Sequence, residues 1–409
     1  MATVLVQGTL DTKGEELLWM KSELEKLGIQ VILLDVGSFS DAPEADITAH
    51  DVTKAVGEDL DQLRLEKDRG KIMTIMGEGS AKIVTGLLEE GKIHGFLSAG
   101  GSGGSSVAAA AIQALPVGFP KVLVSTMASG NVKPYVGGVD ATLMYSVVDV
   151  AGINSISSAI LGNAVAAIAG MAERFKEEQN LSSQEHKPVI AISMFGLTTP
   201  AAYEARETLM KLGYEALVFH ATGAGGMSME KLVESGLVAG VCDITTTELC
   251  DELAGGVLSA GPHRLEAAAR EGVPQVVSFG AVDMVNFGPK NDVPEKYAER
   301  NFIVHNPTVT LMRTTVKENQ HVGAEIGKKI SVSTGPVALF IPEKGFSGID
   351  EEGGPFWDPE ADKAAIDAAL AAVEGSGVEV IKISEHINAP GFGAAMAQKL
   401  HELITQNEK

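Results

Sequence analysis

The densest group of chemistry-bearing residues is Ser98-Ala99-Gly100-Gly101-Ser102-Gly103-Gly104-Ser105-Ser106, which follows an apolar run and opens an alanine-rich helix over residues 107–115. Glycine lets a backbone turn its N–H groups toward an anion, and a helix N-terminus adds a favourable dipole. Gly100, Gly101, Gly103 and Gly104 therefore read as a phosphate cradle, with Ser102 and Ser105 as hydroxyl donors. The same residues also suit a tight strand-to-helix turn that binds nothing.

A second such segment is Gly8-Thr9-Leu10-Asp11-Thr12-Lys13-Gly14. It offers the hydroxyls of Thr9 and Thr12, an Asp11 carboxylate able to hold Mg²⁺, and a Lys13 ammonium suited to phosphate. Thr12 is alternatively a helix cap, with Glu15 completing a capping box. Gly77-Glu78-Gly79-Ser80 follows an apolar run at 72–76, and Thr126-Met127-Ala128-Ser129-Gly130-Asn131 follows another at 121–125. Parallel strands deliver their C-terminal loops to one side, so these four polar turns are expected to meet in one crevice.

The second half carries its own glycine-rich segment, His220-Ala221-Thr222-Gly223-Ala224-Gly225-Gly226, and a polar run Asp243-Ile244-Thr245-Thr246-Thr247-Glu248. By the same logic His220, Thr222, Gly223, Thr245 and Thr246 form a second, substrate-holding cleft, with Arg313, Lys317, Glu343 and His386 as further polar groups. Each of these, taken singly, also suits a surface or internally satisfied role.

Other catalytic patterns fit less well. No Gly-Lys pair precedes Ser or Thr, so there is no P-loop, and Ser106 stands where a dinucleotide fingerprint wants Gly or Ala. Gly100-Gly101-Ser102-Gly103-Gly104 satisfies the spacing of a serine-hydrolase elbow, which would need an acid and a histidine downstream: His220, His305, His321 or His386. A glycine-rich run meets that spacing easily by chance. Cys242 and Cys250 are the only cysteines, too few for a disulfide scaffold, and they read as structural.

The elements that must position these residues alternate strand and helix. Strands are expected at 4–6, 29–36, 72–76, 95–98 and 121–125, and a helix over 15–27 closed by Gly28. Repeated strand–loop–helix units mean right-handed crossovers and a parallel sheet. Residues 176–188 turn polar and read as a linker, giving domains at 1–180 and 187–409. Beyond the linker the opening is echoed: Gly8-Thr9-Leu10-Asp11-Thr12 by Gly196-Leu197-Thr198-Thr199, and Glu90-Gly91-Lys92-Ile93-His94-Gly95 by Ser235-Gly236-Leu237-Val238-Ala239-Gly240. A duplicated α/β module is the reading: two similar Rossmann-like, doubly wound parallel-sheet domains. Residues 342–362 read as a long ordered loop, followed by a helix over 359–373, a strand near 378–383 and a last helix after Pro390.

At 409 residues the chain is too long for one ordinary core. A net charge of −22 with no basic patch excludes nucleic acid and anionic membranes as partners. Residues 151–172 carry no charge but are mostly alanine and polar, which suits a packed internal or subunit-interface helix rather than a membrane span. The N-terminus lacks the pattern of a signal peptide, and a cytoplasmic location is expected.

Through the segments at 8–16, 100–106, 125–130 and 220–223, the whole chain resembles a bacterial and fungal family related to the ATP-binding N-terminal inhibitor domain of the tomato mosaic virus resistance protein. The resemblance implies two Rossmann-like domains, nucleotide binding by the first, and homodimers. It supplies no reaction and no catalytic residue. The resulting expectation is an ATP(Mg²⁺)-binding enzyme acting on a small metabolite at an interdomain cleft. The alternatives are a nucleotide sensor without turnover and a serine hydrolase using Ser102.

Overall fold

The computed structural model describes residues 1–180 and 187–407. The chain divides into two compact units, Met1–Gln184 and Glu185–Lys409.

In the first unit β1 (Thr3–Gly8) leads into α1 (Leu10–Lys26) and β2 (Gln30–Asp35). After α2 (Ala49–Ala55), α3 (Leu60–Glu66) and α4 (Arg69–Glu89) come β3 (Gly95–Gly100), α5 (Ser102–Ala114), β4 (Lys121–Ser125), α6 (Lys133–Val136), β5 (Thr142–Tyr145) and α7 (Ser155–Asn180). The strands form one parallel sheet in the order β2-β1-β3-β4-β5. Alternating side chains of β1 serve two cores: Val4 and Val6 pack with Leu17 of α1 and Ile168 of α7, while Leu5 packs with Met76 of α4 and Ile112 of α5. Such two-sided burial is why the strands read as continuous apolar runs. By length and composition α7 is apolar enough to cross a bilayer, yet Leu161, Ala164, Val165, Ile168 and Ala172 are buried in the core it shares with β1 and β3. It is one layer of a globular α/β unit.

The strand expected at 72–76 is corrected to helix: it lies inside α4, with Gly77 and Gly79. Ile72, Ile75 and Met76 are buried on one helical face, a spacing that a short apolar run does not distinguish from a strand. The fifth strand is β5 instead, which is only half-buried at the sheet edge. The expected linker is partly helical as well, since α7 continues through Asn180; residues 181–186 of that stretch lie outside the described residues.

The second unit opens with β6 (Val189–Met194), α8 (Thr199–Lys211), β7 (Glu215–His220), α9 (Ala224–Glu234), β8 (Gly240–Thr245), α10 (Glu248–Ala254), α11 (Ala267–Glu271) and β9 (Gln275–Gly280). There follow β10 (Met284–Phe287), β11 (Phe302–Asn306), β12 (Val309–Arg313), α12 (Val316–Ser331), β13 (Val337–Pro342), α13 (Pro359–Val373), β14 (Glu379–Ile383) and α14 (Phe392–Asn407). Its main sheet is parallel in the order β14-β13-β9-β8-β6-β7, and β10, β12 and β11 form a separate antiparallel sheet. The series β2-β1-β3-β4 thus recurs as β7-β6-β8-β9, and the sequence echoes fall on equivalent turns. Gly91 and Gly236, before β3 and β8, share a left-handed backbone at φ 66° and 67°.

Candidate functional site

Strand order decides where the first unit can hold a ligand. The chain leaves β1 toward β2 on one side and returns as β3 on the other, so a crevice opens beyond the carboxyl ends of β1 and β3, the usual ligand position of such sheets. A cavity of about 430 Å³ lies there, lined by Thr9, Asp11, Thr12 and Lys13 from the start of α1, Ser38 and Phe39 after β2, Arg69 and Met73 of α4, and Gly101 to Gly104 of α5.

Two helix N-termini therefore face one space. Helix α5 begins at Ser102 with Gly101 as its N-cap and no side-chain cap, so the first N–H groups of that helix have no intrahelical acceptor. A methyl built on Gly104 would meet nothing within 4 Å, and one on Gly101 only Thr126 Oγ1 at 3.8 Å. Internal packing does not demand glycine at either position, although glycine in a helix costs roughly 0.5–1 kcal/mol relative to alanine. Helix α1 likewise lacks a side-chain cap at Thr9. Its first turn is irregular at Lys13 (φ −130°, ψ 22°), and Lys13 Nζ donates to the Val150 carbonyl. The Thr9 and Thr12 hydroxyls bond each other at 2.8 Å. Asp11 Oδ2 accepts the Phe39 N–H at 3.0 Å, which ties the β2 loop to the α1 turn.

Asp35 holds the crevice together and was not anticipated as a site residue. At the buried end of β2 its Oδ1 accepts the N–H of Leu10 at 3.1 Å and of Gly37 at 2.9 Å. Burial raises its pKa, opposed by hydrogen bonds from Ser40, Gly37 and Leu10. An acid closing the apolar run at 31–34 was the available signal. In a dinucleotide fold an acid at this place binds ribose; here it is buried and committed to the backbone. Arg69, Met73 and Phe39 had no signal, because only folding brings α4 and the β2 loop beside the glycine run.

The remaining expected residues of the first unit lie elsewhere. Gly8 is buried, and a Cβ there would come within 2.5 Å of the Leu17 side chain, so it serves packing. Gly77 and Gly79 are corrected from loop to helix contact: a Cβ on Gly79 would fall 2.1 Å from the Val52 carbonyl oxygen of α2. Gly100 ends β3 against Gly104. Ser105 is buried, its Oγ 2.6 Å from Ser125 Oγ. Thr126 lines a neighbouring depression with Tyr145 and Asp149, and Ser129 is exposed on the turn after β4. Ser102 is exposed at the start of α5, and no histidine is among the residues lining its crevice.

In the second unit the matching glycine loop is already occupied from within. Buried Glu248 accepts the N–H of Gly223 at 2.7 Å and of Gly226 at 3.2 Å through Oε1, and Arg264 Nε at 2.7 Å through Oε2. Arg264 is buried and also binds both oxygens of Asp243 at 2.6 Å and Glu230 at 3.0 Å. Burial opposes its charge, but these carboxylates hold its pKa well above the ordinary value. Thr245 and Thr246 have no solvent face: Thr245 Oγ1 lies 2.7 Å from Thr198 Oγ1, and Thr246 Oγ1 donates to the Ser278 carbonyl at 3.0 Å. His220 and Thr222 are exposed. Arg313 is buried between Asp362 at 2.7 Å and Asp350 at 3.4 Å, and Nε donates to the Phe356 carbonyl. Lys317 and Glu343 are exposed, and His386 Nε2 lies 3.1 Å from Glu351.

A parallel sheet with a glycine-rich crevice at its switch point, followed by a unit that repeats the strand order, defines a two-domain Rossmann-like α/β protein. The chain belongs to the Uncharacterised protein family (UPF0261): residues 2–177 match its N-terminal domain and 187–404 its C-terminal domain. A UPF0261 protein of Clostridium tetani is 49% identical over 402 residues, covering 98% of both chains. One of Rhizobium meliloti is 45% identical over 396 residues and covers 97% of each. The ToMV resistance protein Tm-1(GCR237) of Solanum lycopersicum is 36% identical over 422 residues, spanning 97% of this chain and 55% of the tomato protein. The relationship read from the glycine and threonine motifs is thus shown.

Proposed function

We propose that the first unit binds ATP as its magnesium complex in the crevice between β1 and β3, and that the protein is a cytoplasmic, homodimeric enzyme acting on a small metabolite. The observation that carries this reading is the uncapped start of α5, where glycines leave backbone donors open to a cavity that Lys13 and Arg69 also line. Backbone N–H groups at a helix start and a nearby guanidinium are the donors a phosphate chain takes. Phe39, 66% exposed at the rim, offers a face for a base. The choice of ATP among phosphorylated ligands rests on the family resemblance.

Among the described residues no group of three or more His, Cys, Asp or Glu side chains forms a metal site. Asp11 alone, exposed in the crevice, suits Mg²⁺ that arrives with phosphate, since that ion keeps several waters and takes one or two carboxylates. The ion would neutralise phosphate charge, while the α5 amides, Lys13 and Arg69 orient the chain.

Isothermal titration with ATP–Mg²⁺ tests the reading: saturable binding is expected, and no heat at millimolar nucleotide removes it. Phosphate release over time, with and without candidate metabolites, separates an enzyme from a sensor that binds without turnover.

A further inference from the structure

Beside the crevice, at the carboxyl ends of β4 and β5, Thr126, Tyr145, Ser146, Val147, Val148 and Asp149 line a second depression of about 370 Å³. The two hollows share a wall. Thr126 donates its N–H to the Gly100 carbonyl at 3.3 Å, its Oγ1 lies 3.8 Å from a Cβ position on Gly101, and Lys13 of the crevice bonds the carbonyl of Val150, next to Asp149. The edge of the sheet that carries the crevice thus carries a second hollow of different chemistry.

Its rim is unusual in two respects. Val147 has φ 63°, a left-handed backbone that a β-branched side chain adopts only under strain of about 1–3 kcal/mol. The residue is 62% exposed, so burial does not offset that strain. Tyr145 beside it is 44% exposed. The loop is fixed from within, because Ser146 Oγ donates to the Val148 carbonyl at 2.6 Å and Ser146 N–H to the Ser125 carbonyl at 3.3 Å. An aromatic ring and an aliphatic side chain are thus held out to solvent beside the exposed carboxylate of Asp149.

We propose that this depression is a subsite for a small organic cation, an amine with an apolar body. Its ammonium lies against Asp149 and the ring of Tyr145, and its body against Val147. Carboxylate and aromatic face both favour a cation, and the net charge of −22 draws cations to the surface. The proposal stands whatever occupies the crevice.

Three probes with one body and different heads test it by calorimetry on the full chain: 2-phenylethylamine, 2-phenylethanol and phenylacetate. The amine is expected to bind about fivefold more tightly than the alcohol, the yield of one partly exposed ion pair, and phenylacetate more weakly than either. Asp149→Asn should remove most of the preference for the amine. Tyr145→Ala, which removes the ring facing the ammonium, should weaken the amine more than the alcohol. Val147→Gly, which relieves the backbone, should raise the melting temperature while weakening all three. ATP–Mg²⁺ titrations of the same variants report separately on the crevice and on folding. Equal binding of the three probes, no binding at millimolar concentration, or an amine preference undiminished by Asp149→Asn would each overturn the proposal.

Discussion

Replacing Gly104 by alanine should stabilise the first unit and weaken its nucleotide binding together. Gly104 sits in the first turn of α5, and a Cβ there meets no atom within 4 Å beyond its chain neighbours and its own turns of helix. Alanine lowers the backbone entropy of the unfolded chain and favours helix, by about 0.5–1 kcal/mol. In a unit of this size that raises the melting temperature by about 1–4 °C. The methyl projects where the crevice lets a ligand approach the α5 amides, and losing that approach should weaken ATP–Mg²⁺ at least about tenfold, or 1.4 kcal/mol. Differential scanning calorimetry and titration on one preparation give both numbers. Gly79→Ala is the contrast: its Cβ would lie 2.1 Å from the Val52 carbonyl oxygen, so α2 and α4 must part. It should cost about 1–3 kcal/mol of stability. A Gly104→Ala protein that is more stable yet binds ATP–Mg²⁺ unchanged would show that the open glycines serve no ligand.

Three further outcomes follow from the geometry. Glu248→Gln removes one of the charges facing Arg264 in the buried network of the second unit; Arg264 keeps Asp243 and Glu230, so the weakened hydrogen bonds should cost about 1–3 kcal/mol, visible as an earlier melting transition with ATP binding by the first unit retained. Asp350 is pushed up to about 9 by burial and by Asp283 and Asp362, whose pKa values burial also raises. A raised carboxyl favours folding while protonated. Its contribution is complete below the unfolded value near 4 and is lost as pH rises toward about 9. The second unit should therefore melt at lower temperature at pH 8.5 than at pH 6, and Asp350→Asn should flatten that slope; equal slopes in both proteins would refute the assignment. Arg69→Ala, at an exposed position lining the crevice, should weaken ATP–Mg²⁺ about tenfold with melting nearly unchanged; an unaltered dissociation constant would remove Arg69 from the site.

Sequence alone determined the class of fold and half of the crevice. Apolar runs ending in glycine and followed by helical spacing specify βα units because both faces of a parallel strand are buried, and the glycine and threonine turns at 9–13 and 101–104 lie next to the strands that carry them. Local pattern could not tell the helix at 69–89 from a strand, since a five-residue apolar run satisfies both periods until its neighbours choose one. Nor could it show that Glu248, outside the His220–Gly226 segment, fills the second glycine loop, or that Arg313 is enclosed by Asp350 and Asp362. Those outcomes depend on residues far apart in the chain. The topological switch between β1 and β3 brings Arg69 and Phe39 beside the α5 amides. In the second unit the buried Glu248 carboxylate takes the matching place, where N–H groups left without an acceptor would be too costly.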